Sequence, residues 1–227
     1  MVRNDTEISL ETLAARVWER ASARSGRFVL GIAGPPGAGK STFAAALRDA
    51  LDALAGAAVA EVAPMDGFHL SNIELRLAGA LTRKGEPDTF DVAGYLAGLR
   101  RLRETPLGQP VSWPIYDRER HEPVPGSVVF ERQSIVLTEG NYLLLDDFGP
   151  STWSAVREFL DETWYLDVPH EVLAERLLHR HMRGGKSARY AETKVAQSDL
   201  MNAELVAGTR ERADLVLYAD GPNYRIG

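Results

Sequence analysis

Gly34, Pro35, Pro36, Gly37, Ala38, Gly39, Lys40 and Ser41 spell G-x-x-x-x-G-K-S, with Thr42 next in the chain. Glycines at these places let backbone N–H groups turn inward around phosphate oxygens, and a helix starting at the lysine adds a field that favours anions. Lys40 can reach the β- and γ-phosphates of ATP, and the Ser41 hydroxyl is a hard oxygen ligand for Mg²⁺. Such a loop binds nucleotide without naming the reaction. No asparagine is followed by lysine, so the guanine-reading N-K-x-D of GTPases is missing, as is the L-S-G-G signature of transporter ATPases. Small-molecule kinases and other ATPases remain.

Asp66, in Met65-Asp66-Gly67-Phe68-His69, follows an apolar run and so stands at a strand's carboxyl end, where open α/β sheets bind ligands. A carboxylate there can accept a hydroxyl's proton during phosphoryl transfer or ligate Mg²⁺, while Asp-Gly is equally an ordinary turn. Glu139 closes the run from Ile135 to Thr138 and precedes Gly140, the place of an acid that holds Mg²⁺ directly or through water. Arg176, Arg180 and Arg183, spaced i, i+4, i+7, share one helical face before Gly184 and Gly185 break the helix. That row can close over the nucleotide as a lid and neutralise charge on the moving phosphoryl group, or it can be a solvated face. His179 and His181, two apart, point to different faces and make no metal pair. Tyr116, Asp117, Arg118, Arg120 and His121 form a polar and aromatic cluster suited to gripping a polar substrate.

These groups need a scaffold, and the apolar pattern supplies one. Short apolar runs at 28–33, 59–64, 135–139, 164–168 and 213–219 read as strands, and helical periodicity follows at 41–55, 92–102, 169–183 and 191–206. An N-terminal helix carrying Leu10, Leu13, Val17 and Trp18, with Ile8 on the same face, precedes the first strand. Alternating strands and helices predict an α/β fold with a parallel sheet covered on both faces. The chain of 227 residues is expected to form one domain, with a nucleotide-binding core at 26–72, a substrate-side insertion at 73–125 and a lid region at 169–190.

Composition narrows the function. Cysteine is absent, which excludes disulfides and thiolate metal sites. A net charge of −6 without runs of like charge disfavours nucleic acid as a partner, and no stretch is apolar enough for a membrane span. The N-terminal segment is charged and lacks the apolar run of a signal peptide, so a cytoplasmic location is expected. The exposed faces of the N-terminal helix would suit a homodimer.

Taken together, the motifs resemble the phosphoribulokinase, uridine kinase and pantothenate kinase superfamily of P-loop metabolite kinases, over about residues 28–202. Asp66-Gly67-Phe68 with Asn72 is similar to the D-G-F-x-x-x-N of pantothenate kinases, whose aspartate is the catalytic base. Lys84-Gly85-Glu86-Pro87-Asp88-Thr89-Phe90-Asp91 resembles their K-G-x-P-E-S-Y-D and the H-P-D-A-F-D of uridine kinases. Pro114-Ile115-Tyr116-Asp117 with His121 resembles the P-x-Y-D-x-x-x-H whose Tyr and His contact the base in uridine-cytidine kinases. The closest overall look is that of bacterial kinases labelled fructokinase-like or uridine kinase-like.

The resemblance implies a three-layer P-loop fold and transfer of the γ-phosphate of ATP, with Mg²⁺, to a hydroxyl of a sugar, nucleoside or pantothenate-like metabolite. It assigns catalysis to Asp66, Lys40, Glu139 and Arg180, and acceptor binding to Asp66, His69, Asp88, Tyr116, Arg118 and His121. Two alternatives stay open. One is a nucleotide-dependent switch or assembly ATPase without a small-molecule acceptor. The other is a kinase of a phosphorylated sugar or nucleotide that reads its anion with Arg118 and Arg120.

Overall fold

The computed structural model describes residues 6–220 and 223–226. In chain order the elements are β1 (Thr6–Ile8), α1 (Leu10–Ser22), β2 (Phe28–Ala33), α2 (Lys40–Ala55), β3 (Ala60–Pro64), α3 (Asn72–Leu77) and α4 (Val92–Glu104). There follow β4 (Val111–Asp117), β5 (Glu122–Phe130), β6 (Ile135–Gly140), β7 (Glu162–Asp167), α5 (His170–Arg183), α6 (Ala188–Lys194), α7 (Leu200–Ala207), β8 (Leu215–Asp220) and β9 (Asn223–Ile226). All five apolar runs form strands, with ends within two residues of those expected. Ile8, grouped by periodicity with the N-terminal helix, instead pairs with Tyr224 in β1, an edge strand the sequence did not signal.

Seven strands make one sheet in the order β1-β9-β8-β7-β2-β6-β3, with β3, β6, β2, β7 and β8 parallel. Every residue of β2 is buried because helices cover both faces of the sheet, which is why it reads as an unbroken apolar run. Phe28, Leu30 and Ile32 face one core with Leu13 and Val17 of α1, Phe43 and Leu47 of α2, and Leu173 and Leu177 of α5. Val29 and Ala33 face the other, with Tyr95 and Leu99 of α4 and the rings of Trp113 and Trp153. Asp91 caps α4 by accepting from the Gly94 N–H at 2.8 Å, as its place before the apolar run suggested.

The segment at 73–125 holds more structure than an insertion between core elements would need. Tyr95, Leu99 and Leu102 of α4 are fully buried in the core, and the β4–β5 hairpin runs to Phe130. Its proline at 114 sits where the hairpin register shifts between Trp113 and Ile115, a place where a strand tolerates a missing N–H. Among the described residues no helix is long and apolar enough to cross a membrane.

Candidate active site

Three parallel strands end at one cavity of about 690 Å³, a size typical of ligand sites. The phosphate loop leaves β2 and returns as α2, with Gly34, Gly37 and Gly39 all at positive φ. Gly34 also has no room for a side chain, since a Cβ there would lie 2.7 Å from the Leu166 carbonyl oxygen. Gly39 caps α2 without a side-chain acceptor, so the first amides of this helix have no side-chain cap at the cavity's edge. Pro36, Gly37, Gly39, Lys40, Ser41 and Thr42 line the space. Gly34, Pro35 and Ala38 shape the loop from behind; the Pro35 carbonyl accepts from Lys40 Nζ at 2.9 Å, and Ala38 is buried.

Lys40 Nζ also donates to Asn141 Oδ1 at 2.7 Å, and burial pushes its pKa down to about 8 against the pull of Glu139 and Asp66. Glu139 ends β6, 5% exposed, and accepts from Ser41 Oγ at 3.0 Å. Burial, with the charge of Asp66 beside it, raises the Glu139 pKa. A hydroxyl and a carboxylate paired this way are hard oxygen donors that fit Mg²⁺, which keeps most of its ligands for water and substrate phosphates.

Asp66 stands in the 3₁₀ turn Met65–Phe68 at the end of β3. The following glycine answers a need for space, because a Cβ on Gly67 would lie 2.2 Å from the Pro114 carbonyl oxygen of the hairpin. Gly140 plays the same part on β6, where a Cβ would lie 2.6 Å from that of Met65. The two glycines bring the hairpin, the Asp66 turn and the Glu139 strand into contact. Arg118 of the hairpin pairs with Asp66 at 3.6 Å.

His69 packs between Phe90 and Tyr116, with ring centroids 4.0 and 4.5 Å away. Its Nδ1 lies 2.8 Å from the Asp66 carbonyl oxygen, which can only accept, so Nδ1 carries the proton. Burial lowers the His69 pKa and keeps the ring neutral, leaving Nε2 as a lone-pair acceptor on a ring that lines the cavity. Lys84 lies over the Tyr116 ring at 5.3 Å and donates to Asn72 Oδ1 at 2.9 Å and to the His121 carbonyl at 2.7 Å. His121 holds the hairpin turn at φ 54, a conformation histidine tolerates better than most residues.

The arginine row expected to form a lid is divided. Arg176 and Arg180 line the cavity and Arg183 does not. At about 100° per residue the row Arg176, Arg180, Gly184 drifts steadily toward the cavity, whereas Arg183 falls back the other way. Asp88 is also outside the lining, its carboxylate held by Arg83 at 2.7 and 3.0 Å. Arg120, 79% exposed, turns back to Asp117.

Sequence reasoning missed another wall. The helix expected over 191–206 is interrupted by a π-turn at Val195–Asp199, where the Leu200 N–H bonds the Val195 carbonyl five residues back. Lys194 and Asp199 are five apart, a spacing that an α-helix turns away and a π-turn aligns. Lys194, Asp199 and Asn202 consequently all line the cavity, and Asp199 Oδ2 accepts from His181 Nε2 at 2.7 Å. His181, which shares no helical face with His179, has this carboxylate as its partner.

A parallel sheet of this order, with a phosphate loop between its central strand and the next helix, defines a P-loop nucleotide-binding protein. A model of the phosphoribulokinase / uridine kinase family matches residues 29–218, and the chain belongs to that family. It is 34% identical to the Escherichia coli protein YggC, whose function is uncharacterized, over 84% of this chain and 77% of that one. It is 33% identical to a Schizosaccharomyces pombe protein provisionally named a uridine kinase, covering 84% and 83% of the two chains. A solved structure from Silicibacter sp. TM1040, provisionally named a fructose transport system kinase, superposes with a TM-score of 0.83 at 36% identity, over 92% of this chain and 98% of that one. The chain is thus a P-loop kinase of the family that acts on small metabolites.

Proposed function

We propose that this kinase transfers the γ-phosphoryl group of ATP to a hydroxyl of a small polar metabolite, with Asp66 as general base. The acceptor oxygen forms the new bond to the γ-phosphorus, the bond to the β–γ bridging oxygen breaks with its electron pair leaving on ADP, and the hydroxyl proton passes to Asp66. The observation that carries this reading is the meeting of three groups in one cavity: Asp66 and Glu139 each act on the charge of buried Lys40. Lys40 and the lid residues Arg176 and Arg180 suit the phosphates, and the half lined by His69, Tyr116, Arg118 and His121 suits the acceptor. Ser41 and Glu139 would hold Mg²⁺, which supplies charge neutralisation on the phosphate oxygens when bound. Polar and aromatic groups filling the acceptor half favour a metabolite kinase over a nucleotide switch.

The test is ADP release from Mg·ATP by the wild type and by Asp66→Asn over a panel of sugars, nucleosides, polyols, hydroxy acids and their phosphates. Stimulation by one acceptor, lost in the variant, is expected. Steady hydrolysis indifferent to every acceptor would overturn the reading.

A further inference from the structure

The cavity carries more positive charge than its nucleotide explains. Seven cationic side chains line it against three carboxylates, a surplus of four positive charges in a protein whose net charge is −6. Mg·ATP, with about two net negative charges, offsets only about half of that surplus. A ligand site that is desolvated on closure and still holds unmatched cations selects for an anion.

Where the excess lies decides which ligand it serves. Lys40, Arg176 and Arg180 surround the phosphate loop, Arg176 Nη1 lying within 3.5 Å of the Gly37 and Ala38 carbonyls. Lys186, between α5 and α6, lies over the Tyr190 ring at 5.8 Å, and Lys84, Arg118 and Lys194 are held by other elements. Lys84 bonds two neutral oxygens, of Asn72 and His121, and Lys194 bonds Ser198 Oγ at 3.0 Å and the Thr82 carbonyl at 3.5 Å. Arg118 reaches in from the hairpin, and it and Lys84 both act on the charge of His69. Partial burial lowers the Lys84 pKa despite the charge of Glu122, whose carboxylate accepts from the Asn72 N–H instead of pairing with the ammonium. Asp66 pairs with Arg118 at 3.6 Å while its charge also acts on Lys40 and Arg180, and Asp199, bonded to His181, acts on Arg180 as well, so neither carboxylate is spare.

Resting on the kinase reading above, we infer that the acceptor is an anionic hydroxy metabolite, bearing a carboxylate or phosphate that sits against Lys84, Arg118 and Lys194 while its hydroxyl meets Asp66. The inference departs from a neutral nucleoside or free sugar. Neutral His69 Nε2 can accept from a second hydroxyl, and the cations supply the charge recognition.

Calorimetric titration of the full chain loaded with Mg·AMP-PNP tests this with matched probes: ribose 5-phosphate against ribose, glycerate against glycerol, and inorganic phosphate. An anionic member is expected to bind at least 10-fold more tightly than its neutral counterpart, and the two pairs separate phosphate from carboxylate recognition. Lys84→Gln, and independently Arg118→Gln on the exposed hairpin, should each weaken that binding about 10-fold, the scale of one charge-assisted contact. Equal binding of neutral and anionic members, no anion binding at all, or anion binding untouched by both substitutions would overturn the inference while Mg·AMP-PNP still binds. Failure of Mg·AMP-PNP itself to bind would overturn the kinase reading with it.

Discussion

Lys40 donates one hydrogen bond to Asn141 Oδ1 at 2.7 Å and one to the Pro35 carbonyl at 2.9 Å, so the loop's lysine is held by neutral oxygens on both sides. Neither oxygen offsets a full charge in a buried place, and burial accordingly brings the Lys40 pKa down to about 8 from 10.5. Triphosphate oxygens would reverse this by giving the ammonium an anionic partner.

ATP binding should therefore take up a proton above pH 8. Between about 8 and 10.5 the unfolded chain holds the Lys40 proton more tightly than the nucleotide-free fold, so this group alone makes stability rise with pH there. Bound ATP raises the folded pKa again, and the apparent ATP affinity falls as pH passes about 8. Calorimetry at pH 9 in buffers of different ionisation enthalpy should show uptake approaching one proton per ATP. No buffer dependence would mean that Lys40 is charged before ATP arrives.

Asp66→Asn should lower turnover by roughly 10²- to 10⁴-fold, the scale of lost general-base catalysis. The amide keeps the side chain's size and its place beside Arg118 but accepts no proton. ATP affinity, measured by titration without acceptor, should change little. A variant with full turnover would remove Asp66 from the proton's path.

Gly67→Ala should be costly although the new group is one methyl. Its Cβ would lie 2.2 Å from a backbone oxygen of Pro114, and no flexible side chain can yield there. The hairpin must shift, at ~1–3 kcal/mol by comparison with overpacked cores, and it carries Tyr116 and Arg118 with it. A lower Tm together with a raised KM for the acceptor is the expected pair of results. A lower Tm with acceptor KM unmoved would show that the hairpin does not position the acceptor.

What was legible in the sequence follows from how local each feature is. The phosphate loop is one contiguous stretch with a strand before it and a helix after it, and buried parallel strands advertise themselves as apolar runs. The hairpin was unreadable as strands because Pro114, Pro123 and Pro125 interrupt it and it lies outside the main sheet. Asp88 matched a motif by position, yet a motif does not say where a side chain points, and Arg83 is close enough to claim it. Lys194, Asp199 and Asn202 were hidden by the π-turn, whose extra residue per turn leaves no mark in composition.

The divided arginine row of α5 gives a prediction that exposed arginines on a single helix rarely allow. Arg180 and Arg183 sit three residues apart on α5, both with solvent access, yet only Arg180 lines the cavity, where Asp199 and Asp66 both act on its charge. If α5 closes on the phosphates, Arg180→Gln removes a charged donor from the side of the moving phosphoryl group. Its loss should fall on kcat by about 10²-fold, the scale of removing one such donor. Arg183→Gln changes the same helix by the same chemistry outside the cavity lining and should leave kcat and KM within about twofold, as surface substitutions do. Steady-state kinetics of the two variants side by side separates lid from surface: equal losses would assign the effect to helix stability, and no loss in either would leave α5 outside the transfer step.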